Sequence, residues 1–118
     1  YVFRRSEGVW RQEAYIKASN TGEGDRFGAA VAFDGATLAI GATDEASGSM
    51  GVNSEERRDD VPGSGAVYLF RRASGMWAQT DYIKASNTGP RDFFGFSVAV
   101  SGSDLAVGPM AKTAPPLA

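Results

Sequence analysis

The chain repeats itself at a spacing of 67 residues, and this limits its fold more than any other feature. Tyr1-Val2-Phe3-Arg4-Arg5 falls on Tyr68-Leu69-Phe70-Arg71-Arg72, and Trp10 falls on Trp77. Tyr15-Ile16-Lys17-Ala18-Ser19-Asn20-Thr21-Gly22 returns unchanged from Tyr82 to Gly89, and Asp25, Phe27 and Gly28 return as Asp92, Phe94 and Gly95. Of the first 42 positions, 24 are identical to their counterparts without a gap. Beyond Ala42 the match stops, so the 118 residues hold about 1.8 copies of the unit.

Each unit reads as four short strands. Phe27–Phe33 is the first, and Asp34-Gly35 marks a tight hairpin turn into the second, Thr37–Ala42. A polar segment follows, residues 43–64, without periodicity. Residues 65–71 form the third strand, with Val67 and Leu69 on one face and Tyr68 and Phe70 on the other. Ala73-Ser74-Gly75 turns the chain into the fourth, residues 76–84, which carries Trp77 and Tyr82. No window carries a helical stripe, and Val61-Pro62-Gly63 stops the one short candidate near 55–60. Four strands per repeat of this length describe a β-propeller blade; a solenoid repeats at shorter spacing, and a sandwich does not repeat its own sequence. The expected fold class is therefore all-β, a propeller fragment of four-stranded antiparallel blades. Residues 27–93 make one complete blade with its long loop at 43–64. Residues 1–26 form a half-blade with the third and fourth strands, and 94–118 a half-blade with the first and second.

Phe27-Gly28 followed by Leu38-Ala39-Ile40-Gly41-Ala42 resembles the FG-GAP motif of integrin α-subunit propellers and of many bacterial exported proteins. Phe94-Gly95 with Leu105-Ala106-Val107-Gly108-Pro109 is the second copy, and Gly65-Ala66-Val67-Tyr68-Leu69-Phe70 is similar to the strand that follows in that family. The resemblance implies a non-enzymatic propeller repeat that binds a protein or glycan partner, in adhesion at the cell surface or in secreted form. Two other readings are a purely structural repeat without its own ligand and a calcium- or carbohydrate-binding, lectin-like module. The residues of the motif read as structural: Phe27 and Phe94 fill the space between blades, and Gly28, Gly95, Gly41 and Gly108 give room where backbones approach. Trp77, like Trp10, covers outer-strand surface or a neighbouring blade.

Composition narrows the chemistry. There is no cysteine and no histidine, which excludes disulfides, Cys/His zinc sites and any catalytic centre that needs either residue. Lys and Arg total 12 against 14 Asp and Glu, a balance without the basic excess of a nucleic-acid partner. No apolar run reaches the roughly 18 residues of a membrane helix, so membrane insertion is not expected. Carboxylates alone could serve glycoside hydrolysis, but the repeated acids lie in turns and no pair is singled out.

The family's calcium-binding hairpin needs several carboxylates at alternate positions. The corresponding turns here, at Asp34 and at Asp104, offer one each. The candidate calcium ligands lie instead in the long loop: Asp44, Glu45, Asn53, Glu55, Asp59 and Asp60. Asp25 and Asp92 recur before Phe-Gly, where a carboxylate accepts backbone N–H groups in a turn. Arg71-Arg72 closes the third strand and either binds an anion or keeps a strand end soluble.

Propellers close with about four to eight blades, so one complete blade and two complementary halves do not make a ring. The abrupt loss of the repeat after Pro109 favours a piece of a longer propeller. The alternative is a ring made by several copies, each half-blade pairing with its neighbour's through a heterologous interface.

Overall fold

A computed structural model describes residues 1–18, 24–46, 61–86 and 90–109. These form eight strands: β1 (Val2–Ser6), β2 (Val9–Ala14), β3 (Phe27–Phe33), β4 (Thr37–Ala42), β5 (Ala66–Ala73), β6 (Met76–Ile83), β7 (Ser97–Ser101) and β8 (Asp104–Gly108). They build three antiparallel sheets: β1-β2, then β3-β4-β5-β6 in sequential order, then β7-β8. The central sheet is the complete blade, and the outer pairs are the half-blades. The third strand runs two residues further than the sequence suggests, to Ala73, and the fourth ends one residue earlier, at Ile83.

The turns follow from the residues that occupy them. Ser74 and Gly75 both have positive φ, as do Glu7 and Gly8 in the matching hairpin. Two consecutive left-handed residues match the right-handed twist of paired strands, which is why each turn ends in glycine. The β3–β4 turn is closed by a side chain instead. The Asp34 carboxylate accepts the N–H of Ala36 at 3.1 Å and of Thr37 at 2.8 Å.

The two faces of the central blade carry separate cores. Leu38, Ile40, Tyr68, Phe70 and Tyr82 pack with Val2 of the first half-blade, and Ala14, Ile16, Phe27 and Trp77 border them. Ala39, Val67 and Leu69 form the other core, against Phe94, Val98, Val100, Leu105 and Val107 of the last half-blade and its lead-in. This alternation is the period-2 pattern of a strand, with both faces covered. Every residue of β4 is buried as a result, although the strand holds two alanines and a glycine. Tyr68 is 1 % exposed, so its ring contributes on the order of 1.5–3 kcal/mol by burial. Phe27 meets Tyr68 edge-on at 5.5 Å and Phe70 at 6.2 Å, and so fixes the first strand against the third.

Glycine governs the approach of the last half-blade. A Cβ on Gly41 would run into the carbonyl of Gly95, and one on Gly95 would lie 2.7 Å from the Ala66 carbonyl oxygen. Gly65 and Phe94 form an isolated parallel bridge across the same seam.

Candidate functional site

Two polar locks and one loop-bearing end stand out. The first lock joins the half-blade β1-β2 to the complete blade. Glu13, on β2, accepts the indole N–H of Trp77 at 2.7 Å and the guanidinium of Arg72 at 2.8 and 3.0 Å. Arg72 also donates to the Gly35 carbonyl at 3.0 Å and lies over the Trp77 ring at 5.6 Å. The anion that Arg72 binds is thus internal. The Trp77 N–H, helped by Arg72 and then Arg4, holds the Glu13 carboxyl below its ordinary range. Trp77 faces the preceding half-blade, and Phe33 meets its ring at 5.7 Å.

Across the opposite seam, Asp34 extends its role beyond its own turn. Its second oxygen accepts the N–H of Gly102 at 2.9 Å, in the β7–β8 hairpin. The Thr37 and Ala36 N–H groups, and then that of Gly102, hold its carboxyl low. One aspartate therefore closes one turn and ties it to the next.

Both carboxylates are stabilised as anions by the fold, which fixes the sign of the acid response. A carboxyl whose folded pKa lies below its unfolded one lends stability at pH values above the unfolded pKa, near 4. That stability is lost as pH falls through the folded value. We expect the melting temperature of the chain to drop steeply below about pH 4. The variant Glu13→Gln with Asp34→Asn should start lower and fall less. Parallel slopes for the two proteins would remove both groups from the acid response.

The second lock is buried at the foot of segment 43–64. Lys84 Nζ lies 2.8 Å from Glu45 Oε2 and 2.7 Å from Ser64 Oγ. The side chains of Lys84 and Glu45 are 0 % and 2 % exposed. Ser64 donates in turn to the Glu45 carbonyl at 3.2 Å. Around this lock the two ends of the segment are joined by Val61 N–H to Ala46 O at 2.7 Å and Gly65 N–H to Glu45 O at 2.9 Å. The lead-in to the last half-blade hangs on the same frame, with N–H groups of Arg91, Phe93 and Phe94 donating to the carbonyls of Pro62, Gly63 and Ser64.

Of the six candidate calcium ligands, Asn53, Glu55, Asp59 and Asp60 lie outside the described residues. The other two have cationic partners: Glu45 binds Lys84, and Asp44 pairs with Arg26 at 2.8 Å. Among the described residues no three acidic side chains gather closely enough to hold a metal ion. Asp25 contributes its backbone at this end, its carbonyl accepting the N–H of Asp44 at 3.0 Å. Of the structural motif residues, Phe27 lies in the first core, Phe94 in the second and Gly41 against Gly95, whereas the expected close backbone approach is not seen at Gly28, where a Cβ would meet nothing within 4 Å, or at Gly108, where it would meet only the Ser97 side chain.

A groove of about 460 Å³ opens between β2 and β6 and is lined by Glu13, Tyr15, Lys17, Phe70, Trp77 and Gln79. Glu13 is the one carboxylate in its lining, already bound by Trp77 and Arg72. Glycoside hydrolysis uses a pair of carboxylates flanking the bond, which this lining does not supply.

Sequence reasoning overlooked Glu13 and Ser64. Glu13 has Thr80 at its counterpart position, so the repeat carries no sign of it. Ser64 lies in the segment without a second copy. Lys84, by contrast, recurs as Lys17, and that recurrence is a signal that could have drawn attention to it.

No helix among the described residues is long and apolar enough to cross a membrane. No curated protein and no solved structure matches the chain. A family model described as FG-GAP repeat matches residues 10–70 and again residues 77–114. The two matches begin at Trp10 and Trp77, at the spacing of the internal repeat, and together they cover most of the chain. With blades of the expected strand order stacked through the Phe-Gly and Gly-Ala segments, the chain belongs to the FG-GAP repeat family.

Proposed function

We propose that this chain is a non-enzymatic binding module of a propeller that works at the cell surface or outside the cell. A protein partner is engaged at the end of the blade that carries segment 43–64. FG-GAP repeats are in general propeller repeats that mediate binding, and they typically occur in extracellular or surface proteins. The observation that carries the reading is the Glu45–Lys84–Ser64 lock. It spends a buried charge pair on joining the described ends of segment 43–64, and rigid elements that hold a connecting segment are the usual platform for recognition. With Asp44 and Glu45 paired internally, residues 47–60 still carry four acidic residues against Arg57 and Arg58, so a partner with a basic patch fits the segment best.

The test has two parts. An antibody against the chain should stain intact producing cells or detect the protein in their medium. Cross-linking there should capture a protein partner through residues 43–64. Replacing residues 47–60 by a Gly-Ser linker should then weaken binding of the purified partner at least about tenfold, a loss of roughly 1.4 kcal/mol. The β-sheet circular dichroism should remain. Staining only after permeabilisation, or unchanged binding by the linker variant, would refute the proposal.

A further inference from the structure

We propose that the buried Glu45–Lys84–Ser64 lock is a latch for the seam between the central blade and the last half-blade. It holds the strap 61–65 in place, and the strap holds the lead-in 91–94 in a strained, left-handed form. The foot of segment 43–64 and the seating of the next blade are then one cooperative unit. This device is independent of the binding role above.

The strain lies in the lead-in. Arg91 and Phe93 have φ of 58° and 52°. A left-handed backbone is uncommon outside glycine, and for a bulky side chain such as Phe93 it is an outlier. The first copy of the repeat makes the same turn, with Gly24 at φ 81° and Arg26 at 59°. The shape therefore belongs to the repeat, but at Arg91 it is adopted without the glycine that makes it easy. Strained positions of this kind persist only where their surroundings over-determine them.

The strap supplies that determination. Three successive carbonyls, of Pro62, Gly63 and Ser64, accept the N–H groups of Arg91, Phe93 and Phe94 at 2.9, 2.8 and 3.0 Å. Gly65 and Phe94 continue the contact as a parallel bridge. The approach leaves no slack. A Cβ on Gly63 would lie 3.0 Å from the Phe93 ring and 3.1 Å from the Arg91 Cα, and one on Gly65 would run into the Phe94 backbone. Contacts this close are either seated or lost, because packed surfaces switch between discrete arrangements and do not deform continuously.

The lock fixes the strap from its other side. Val61 donates to the Ala46 carbonyl at 2.7 Å and Gly65 to that of Glu45 at 2.9 Å. Ser64 stands at the junction: its carbonyl accepts from Phe94, while its hydroxyl meets Lys84 Nζ at 2.7 Å and the Glu45 carbonyl at 3.2 Å. Lys84 directly follows β6 and cannot withdraw without stranding Glu45 at 1 % exposure. The charge pair holds the latch closed, and the left-handed lead-in is what it is closed against. On opening, Arg91 and Phe93 relax and Phe94 leaves the second core, where it packs with Val67 and Leu69. The strands of the central blade lie outside both the strap and the lead-in, so opening is local.

The experiment is amide hydrogen exchange, read at single residues by NMR, on the 118-residue chain and three variants. In the wild type the amides of Arg91, Phe93 and Phe94 should be protected. Ser64→Ala removes the hydroxyl that joins lock to strap and leaves the Glu45–Lys84 pair. It should speed exchange in the lead-in and in β7 and β8 about tenfold, with β1, β2, β5 and β6 at wild-type rates. Arg91→Gly places in the second copy the residue that the first has at Gly24. It should slow exchange of the Val61 and Gly65 amides about threefold, since coupling between two sites is reciprocal. The double variant should return the lead-in toward wild-type rates. Unprotected lead-in amides in the wild type would overturn the proposal. So would lead-in rates that Ser64→Ala leaves unchanged or raises equally with all eight strands, or Val61 and Gly65 rates that Arg91→Gly leaves unchanged or raises.

Discussion

Replacing Lys84 by methionine is expected to destabilise the chain by about 3–5 kcal/mol, the cost of leaving a buried carboxylate without its cation. Glu45 would keep its place at 1 % exposure, with Oε2 deprived of the ammonium at 2.8 Å. Ser64 would lose a charged donor to its hydroxyl at the same time. The internal control is Lys17, the same residue one repeat earlier. It is exposed and lies over the Tyr15 ring at 5.4 Å, with no buried carboxylate to pair with among the described residues. Lys17→Met should therefore stay within about 0.5 kcal/mol of the wild type. Denaturant unfolding of the two variants gives both numbers. A double variant, Glu45→Leu with Lys84→Met, should recover much of the loss, since replacing a buried pair by apolar groups of similar volume is often neutral. Equal effects at Lys17 and Lys84 would show that the lock contributes nothing specific.

That contrast also marks what can be read from the amino acids alone. The strands were legible because each repeat carries its alternation twice, and because Ser74-Gly75 and Asp34-Gly35 are turn chemistry wherever they occur. The division of Val67 and Leu69 from Tyr68 and Phe70 follows from the pleat, and the structure places the pairs in different cores. The polar locks were not legible. Glu45 reads as one acid among several in a polar loop; its partner lies 39 residues away, brought to it when β6 closes the blade. Glu13 and Arg72 are 59 residues apart and meet only because two blades stack. Pairing of this kind depends on three-dimensional placement, which a local pattern does not encode. The repeat shows which residues occupy equivalent places, and the structure shows that equivalent places have different neighbours.

Gly41 and Gly108 turn that difference into a measurement. They are equivalent positions of the repeat, Gly41 one residue before the end of β4 and Gly108 the last residue of β8. A methyl group on Gly41 would strike the Gly95 carbonyl, with the Gly95 Cα at 3.3 Å. These are backbone atoms of the next blade, which cannot swing aside as a side chain would, and β4 is buried on both faces. Gly41→Ala is expected to cost about 1–3 kcal/mol or more and to loosen the last half-blade from the central one. Hydrogen exchange should show this as faster exchange in β7 and β8. At Gly108 the same methyl group would meet only the Ser97 hydroxyl and Cβ, and the hydroxyl can rotate away. Gly108→Ala should leave hydrogen exchange in β4 and β5 at wild-type rates. If the two alanines had equal effects on unfolding, the close approach at the seam would not be what the glycine is for. If only Gly41→Ala destabilised the chain, the backbone of the neighbouring blade, and not the strand position itself, would be what requires the glycine.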